Sequence, residues 1–193
     1  MDTILLNIIK MLTERKFLDK DKLDKNYKIL LDQKNEERIF VIKSNFSNKK
    51  YHILFVFGKL TTIKKISNLD SFLSTTEDDN RMFIVNNANQ KAYKQFIELE
   101  NTEVFFDYEL MMNIIEHELQ PIFEVLDIEE KKLFHEAYNT ENNMSMMLST
   151  DPIARYYRLT HGDVIRIIRP SNSSGIGFQY RKIIESPISV LFE

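Results

Sequence analysis

The sequence predicts an α+β chain of two domains, residues 1–108 and residues 109–193. Three observations carry this expectation. Helical and strand periodicities alternate through residues 1–108, as in an α/β layer with a mixed sheet. The charge then shifts: residues 1–108 hold 18 Lys+Arg and 16 Asp+Glu, residues 109–150 hold 2 and 9, and residues 151–193 hold 6 and 4. Finally, two β-rich runs flank a turn-rich connection near the end of the chain, which suits a small α+β unit.

The elements follow in order. Ile4, Leu5, Ile8, Ile9 and Leu12 recur at helical spacing, so residues 3–17 form a core-facing helix. Residues 21–31 form a second, with Leu23, Tyr27, Leu30 and Leu31 on one face. Residues 38–46 and 51–57 are strands joined through Ser47-Asn48-Lys49-Lys50. The second of these, YHILFVF, is apolar almost throughout, so it is central and covered on both faces. Residues 61–73 are helical, with Ile63, Ile66, Leu69, Phe72 and Leu73 inward. An exposed turn at 75–80, a short buried strand at 82–85, a helix at 89–99 and a strand at 103–107 complete this half. A bridging helix spans 108–116 and a strand 122–126. Asp127 caps the next helix, and Glu130, three residues on, completes a capping box. That helix buries Leu133, Phe134 and Ala137 and ends at Asn139-Thr140-Glu141-Asn142-Asn143; residues 144–148 are a short strand.

The densest signals lie in residues 151–181. Asp151 is an N-cap and Pro152 suits the first helical turn, where its missing N–H costs nothing. Residues 153–159 give about two turns, and His161-Gly162 supplies a stop that lets the backbone take a positive φ. Val164 to Arg169 is a strand by its β-branched content. Pro170-Ser171-Asn172-Ser173-Ser174-Gly175 is a connection of turn formers, and residues 178–184 return antiparallel.

Asp151, Pro152, Ala154, Arg155, Tyr156, Gly162, Val164, Ile167, Ile168, Arg169, Pro170, Ser171, Gly175, Tyr180 and Arg181 sit at fixed spacings without a gap. This pattern resembles the signature of the fifth subunit of eukaryotic nuclear RNA polymerases, a family that also has a shorter archaeal member. Glu109-Leu110, Asn113-Ile114 and His117-Glu118-Leu119-Gln120-Pro121 resemble that family's approach to its C-terminal domain. There are departures: Arg158 stands where the family usually has Gly, Thr160 and His161 replace a basic pair, and Ile176-Gly177 replaces an Arg-aromatic pair.

The resemblance implies a fold and a role. Residues 1–108 would be an N-terminal α/β jaw domain, and residues 109–193 a small α+β assembly domain like the archaeal member. The chain would be a non-catalytic subunit of a multisubunit DNA-directed RNA polymerase, without cofactor or small-molecule substrate. The assembly domain docks on the largest subunit, through Asp151, Pro152, Arg155, Tyr156, Gly162, Arg169, Pro170, Ser171, Gly175, Tyr180 and Arg181. The jaw lies beside downstream double-stranded DNA, with Asn89, Gln90 and Lys91 at the place of the family's DNA-proximal loop. The archaeal member lacks the jaw, so this chain resembles the eukaryotic or the viral version. Its wealth of Asn, Lys and Ile suits an AT-rich genome and favours a giant virus, hence a virion and a viral factory in the host cytoplasm; a cellular owner would put it in the nucleus. The alternative is a free-standing nucleic-acid-binding transcription regulator, which the net charge of −3 and the acidic middle argue against.

Composition narrows the rest. With no Cys there is neither a disulfide nor a thiolate metal site. No apolar run reaches about 18 residues, so no membrane span is expected, and Met1-Asp2-Thr3 lacks the basic start of a secretory signal. Glu116-His117-Glu118 are adjacent and do not converge on one ion. His52 is a satisfied histidine in an apolar strand, and Met144, Met146 and Met147 are gap fillers. The Glu-x-Lys of a nuclease occurs only as Glu129-Glu130-Lys131 at a helix start, so no active site is read. Arg38, Lys43, Lys49, Lys50, Lys59, Lys64 and Lys65 lie in a stretch without acids. That stretch is a solvated face, a DNA contact or a dock for an acidic subunit. Arg155, Arg166, Arg169 and Arg181 either grip a partner's carboxylates or pair with Asp151, Asp163 and Glu185.

Overall fold

The computed structural model describes residues 1–33, 38–66, 69–138, 144–171 and 175–192. It divides into two compact units, Met1–Asn113 and Ile114–Glu193. Each is built on a four-stranded mixed sheet with helices, an α+β arrangement.

In the first unit the strands are β1 (Ile39–Lys43), β2 (Lys50–Leu60), β3 (Asn80–Ala88) and β4 (Thr102–Phe106), side by side in that order. β1 and β2 are antiparallel; β2, β3 and β4 are parallel. Parallel neighbours need a crossover. The two crossovers carry α3 (Leu69–Thr75) and α4 (Gln90–Ile97). The apolar β2 and β3 are central, and Ile53, Phe55, Met82, Phe83, Ile84 and Val85 are all buried. α1 (Asp2–Glu14) buries Leu5, Ile8, Ile9 and Leu12, the stripe its periodicity predicts, and α2 (Leu23–Asp32) buries Leu30.

Several elements differ from expectation, each for a local reason. β2 runs beyond residue 57 because its pairing with β3 slips between Val56 and Lys59, where Gly58 takes φ +94°. A glycine accepts that conformation and makes a bulge instead of a stop. The helix expected at 61–73 is a 3-10 turn, Ile63–Lys65, then an extended Ile66, then α3; residues 67–68 lie outside the described residues. The turn at 75–80 is not wholly exposed: Thr76 and Asn80 are buried, and Thr76 Oγ1 donates to Phe72 O at 2.7 Å. The bridging helix at 108–116 is two 3-10 turns, Asp107–Leu110 and Ile114–Glu116. Glu109 Oε2 accepts the Phe106 N–H at 2.7 Å, and buried Asn7 donates to Leu110 O at 2.8 Å. These bonds tie residues 106–110 to the first unit's sheet and to α1.

The largest polar surprise is buried. Arg15, just past α1, grips Glu103 of β4 with both terminal nitrogens, at 2.9 and 2.8 Å. Tyr51 of β2 donates to the same carboxylate at 2.7 Å. The two charged side chains are only 7% and 11% exposed. Burial lowers the Arg15 pKa, but Glu103 and Tyr51 outweigh it and hold the guanidinium charged. His52 is satisfied as expected: Nε2 lies 2.9 Å from Asp79 Oδ2.

The second unit contains β5 (Ile122–Val125), β6 (Met146–Leu148), β7 (Val164–Ser171) and β8 (Gly175–Ile184), in the spatial order β5-β7-β8-β6. β7 is antiparallel to β5 and to β8, while β6 runs parallel to β8. One sheet face carries Met147, Ile165, Ile167 and Ile183 into a core closed by Ile153, Ala154 and Leu159. Strand alternation sends Met146 to the opposite face, where it is exposed, so only Met147 of that pair fills the core. α5 (Ile128–Tyr138) has the expected capping box: Glu130 N–H to Asp127 Oδ1 at 2.8 Å, and Asp127 N–H to Glu130 Oε2 at 3.1 Å. It does not bury Leu133 and Ala137. Leu133 is 65% exposed, and only Phe134 packs, its ring 4.2 Å from that of Tyr180. The expected helix end at Asn139-Thr140-Glu141-Asn142-Asn143 and the connection through Asn172, Ser173 and Ser174 lie outside the described residues.

Candidate docking site

The site begins at α6 (Pro152–Tyr156). Asp151 Oδ1 accepts the Ile153 N–H at 2.8 Å, and Pro152 occupies the first turn, as the residue types demand. α6 drops Ile153, Ala154 and Tyr156 into the interior. It ends early, because Arg158 takes φ +54°. This is the position where the resembling family has Gly, and the left-handed backbone is the physical reason a glycine suits it. Gly162, expected to stop the helix, instead sits at φ +88° in the next turn, where its N–H donates to Ile183 O at 3.0 Å.

Asp163 holds that turn together. Its Oδ2 accepts from the Thr160 N–H at 2.8 Å and from Thr160 Oγ1 at 2.9 Å, and Lys131 Nζ reaches Oδ1 at 3.2 Å. Burial pushes the Asp163 carboxyl up, but these three donors outweigh it and hold its pKa below the ordinary aspartate value. Arg166 is paired with Glu124 across β5 and β7, its Nε at 2.7 Å from Oε2, and that hydrogen bond raises its pKa. The internal pairing expected for Arg166 thus exists with a different acid, and Asp163 is taken by a lysine.

The strand register then sorts the signature residues. Arg169 and Arg181 share a face with Ile165 and Ile167, whereas Tyr180 stands on the opposite face against Phe134. Arg169 and Arg181 line a cleft of 270 Å³ together with Asp151, Pro152, Gln120 and Pro121; its floor includes Phe123, Ile153 and Ile167. Gly162 lies before β7, while Pro170, Ser171 and Gly175 lie at the far end of the hairpin, where Ser171 pairs with Gly175 at φ +72°. Arg155 is half-buried on α6. The signature is therefore divided between residues that set backbone turns (Asp151, Pro152, Gly162, Gly175), a buried tyrosine (Tyr156) and an arginine-lined cleft. Phe123 went unrecognised in the sequence as a cleft residue, since a single aromatic in a strand carries no partner information.

On the other sheet face Ile122, Ile168 and Phe178 are direct neighbours across β5, β7 and β8. Ile122 is 64% exposed and Phe178 60%. In the first unit, Asn89 caps α4, its Oδ1 accepting the Ala92 N–H at 2.8 Å, and Asn89, Gln90 and Lys91 are all exposed.

Comparison with known proteins agrees along both units. The family model described as RNA polymerase Rpb5, C-terminal domain, matches residues 112–183. DNA-directed RNA polymerase subunit 5 of Acanthamoeba polyphaga mimivirus is 33% identical over 190 residues, 94% of this chain and 90% of that protein. Subunit RPABC1 of DNA-directed RNA polymerases I, II, and III of Caenorhabditis elegans is 40% identical over 83 residues, 42% of this chain and 39% of the relative. Its Dictyostelium discoideum namesake is 30% identical over 138 residues, 66% of this chain and 70% of the relative. Sequence identity that spans nearly the whole chain, joined to the match across the signature half, makes this chain a member of the fifth-subunit family of DNA-directed RNA polymerases.

Proposed function

We propose that the chain works as a non-catalytic assembly subunit of a multisubunit DNA-directed RNA polymerase. In this reading the second unit docks on the largest subunit, and the first unit is a jaw beside downstream DNA. One observation carries the docking half: the second unit presents a row of apolar side chains across three neighbouring strands, exposed Ile122 and Phe178 on either side of half-buried Ile168. Contiguous exposed apolar surface marks a protein contact. α5 adds exposed Ile128 and Leu133. Incorporation into a giant-virus polymerase, in the virion and the cytoplasmic factory, fits the mimivirus relative's coverage of both units. The test is co-purification of the tagged full chain with the two large polymerase subunits. Recovery of the chain without them supports the free-standing regulator instead.

The jaw reading makes a separate claim about Lys91. Exposed at the start of α4, it would add one charge beside the downstream phosphates, a contact that positions DNA without reading bases. Lys91→Glu should weaken binding of the assembled polymerase to downstream duplex for all sequences alike, and lower the salt slope by about one unit. Nucleotide addition should persist. Equal slopes for wild type and variant would remove Lys91 from the DNA path.

A further inference from the structure

We infer that the cleft beside the start of α6 is a carboxylate-binding subsite, whose occupant is an aspartate or glutamate side chain on a segment of another polymerase subunit. The inference rests on the reading of the chain as a polymerase subunit and adds a second contact, on the sheet face opposite the Ile122–Ile168–Phe178 row. Arg181 Nε is buried and has no hydrogen-bond partner. Among the described residues neither Arg181 nor Arg169, the other arginine of the cleft, makes a side-chain hydrogen bond or ion pair. A buried guanidinium N–H without an acceptor is unfavourable, so an acceptor arriving in the cleft would relieve that cost.

The acids nearby are already engaged. Asp151 Oδ1 caps α6, Asp163 holds Thr160 and Lys131, and Glu124 serves Arg166 on the opposite sheet face. Among the described residues no carboxylate pairs with Arg169 or Arg181, and the inferred acceptor comes from outside the unit. Guanidinium forks match a planar carboxylate in two parallel hydrogen bonds. The apolar walls, Pro121, Phe123 and Ile153, suit the methylene stem of an acidic side chain better than a solvated sugar-phosphate. The Asp151 carboxylate in the wall further disfavours a phosphate chain, while two arginines still leave the cleft net positive.

The experiment uses the full chain in reconstituted polymerase. Arg169→Gln and Arg181→Gln, each competed against wild type for incorporation, should lose at least tenfold. The double variant should lose no more than the sum, because both arginines hold one group. Arg169 is exposed, so Arg169→Gln leaves folding intact and decides the matter if Arg181→Gln does not fold. In parallel, Arg181→Lys places an amine in the cleft, and a zero-length carbodiimide joins it to a touching carboxylate with loss of water. Mass spectrometry should then find position 181 joined to an Asp or Glu of another subunit. Undiminished competition by Arg169→Gln, absence of a crosslink, or a crosslink only to Asp151 would overturn the carboxylate subsite while leaving the subunit reading in place. So would protection of the substituted amine by DNA alone, which would point to a phosphate. Failure of the wild-type chain to incorporate at all would overturn the subunit reading itself, and the subsite with it.

Discussion

Arg158 and Gly162 occupy the same region of backbone space, at φ +54° and +88°, with opposite consequences. A β-carbon in the left-handed region costs about 1–2 kcal/mol, and only glycine avoids it. Arg158→Gly should therefore raise the melting temperature, by an amount corresponding to about 0.5–1 kcal/mol once the greater freedom of the unfolded glycine is subtracted. Gly162→Val should cost about 1–3 kcal/mol. No atom lies within 4 Å of the β-carbon it would add, so that cost is backbone strain and not collision. A melt that left both unchanged would contradict the turn geometry. The Asp163 carboxylate beside them predicts a pH dependence. Burial works against its charge, but the Thr160 and Lys131 donors win and depress its folded pKa. A depressed carboxylate contributes stability that is complete above its unfolded pKa of about 3.9 and is lost as pH falls through the folded value. Melts of wild type and Asp163→Asn should accordingly converge on acidification below about pH 4. A difference between them that persisted at the lowest pH would exclude the carboxylate as its source.

α1 is held to the sheet by more than its apolar stripe. Arg15, at its end, meets Glu103 of β4 and Tyr51 of β2 in a nearly dry network. Removing one partner of a buried pair leaves the other charge uncompensated, which costs about 3–5 kcal/mol. Glu103→Ala should show that loss in chemical denaturation, whereas Arg15→Met with Glu103→Leu should recover much of it. If Glu103→Ala were as stable as wild type, the network would not be holding α1 in place. α5 is the opposite case. Phe134 against Tyr180 and Lys131 on Asp163 anchor it, and no residue of the helix is buried. A helix with most of its apolar side chains in water suits a partner surface, the same conclusion the Ile122–Ile168–Phe178 row supports.

The two compact units predict separable behaviour. Residues 114–193 expressed alone should fold cooperatively, since their core of Met147, Ile153, Ala154, Leu159, Ile165, Ile167 and Ile183 is internal to the unit. On the docking reading they should bind the largest subunit, and residues 1–113 should not. Equal binding by the first unit would place the interface elsewhere. A cut at residue 108 should perform worse than one at 113, because Leu110 is buried and its carbonyl is held by Asn7 of α1.

What could be read from the chain alone was mostly local. The Asp151 cap and the Asp127–Glu130 box each involve residues two or three apart, and each formed as the residue types require. The β7–β8 hairpin follows from alternation on either side of a turn, and the signature spacing carried the family. Long-range pairing was not legible. Nothing in the sequence joins Arg15 to Glu103, 88 residues away, or tells Arg166 to choose Glu124. Periodicity says that a helix has an apolar face but not whether a sheet will cover it, which is why Leu133 and Ala137 were expected inside and lie outside. The cleft is the same lesson at the site. Asp151, Arg169 and Arg181 are separate marks along the chain until the register of β7 against β8 turns two arginines to one face and Tyr180 to the other. A cap closes within one turn of chain, whereas a cleft exists only once strands have been aligned, and that alignment is set by the packing of the whole core.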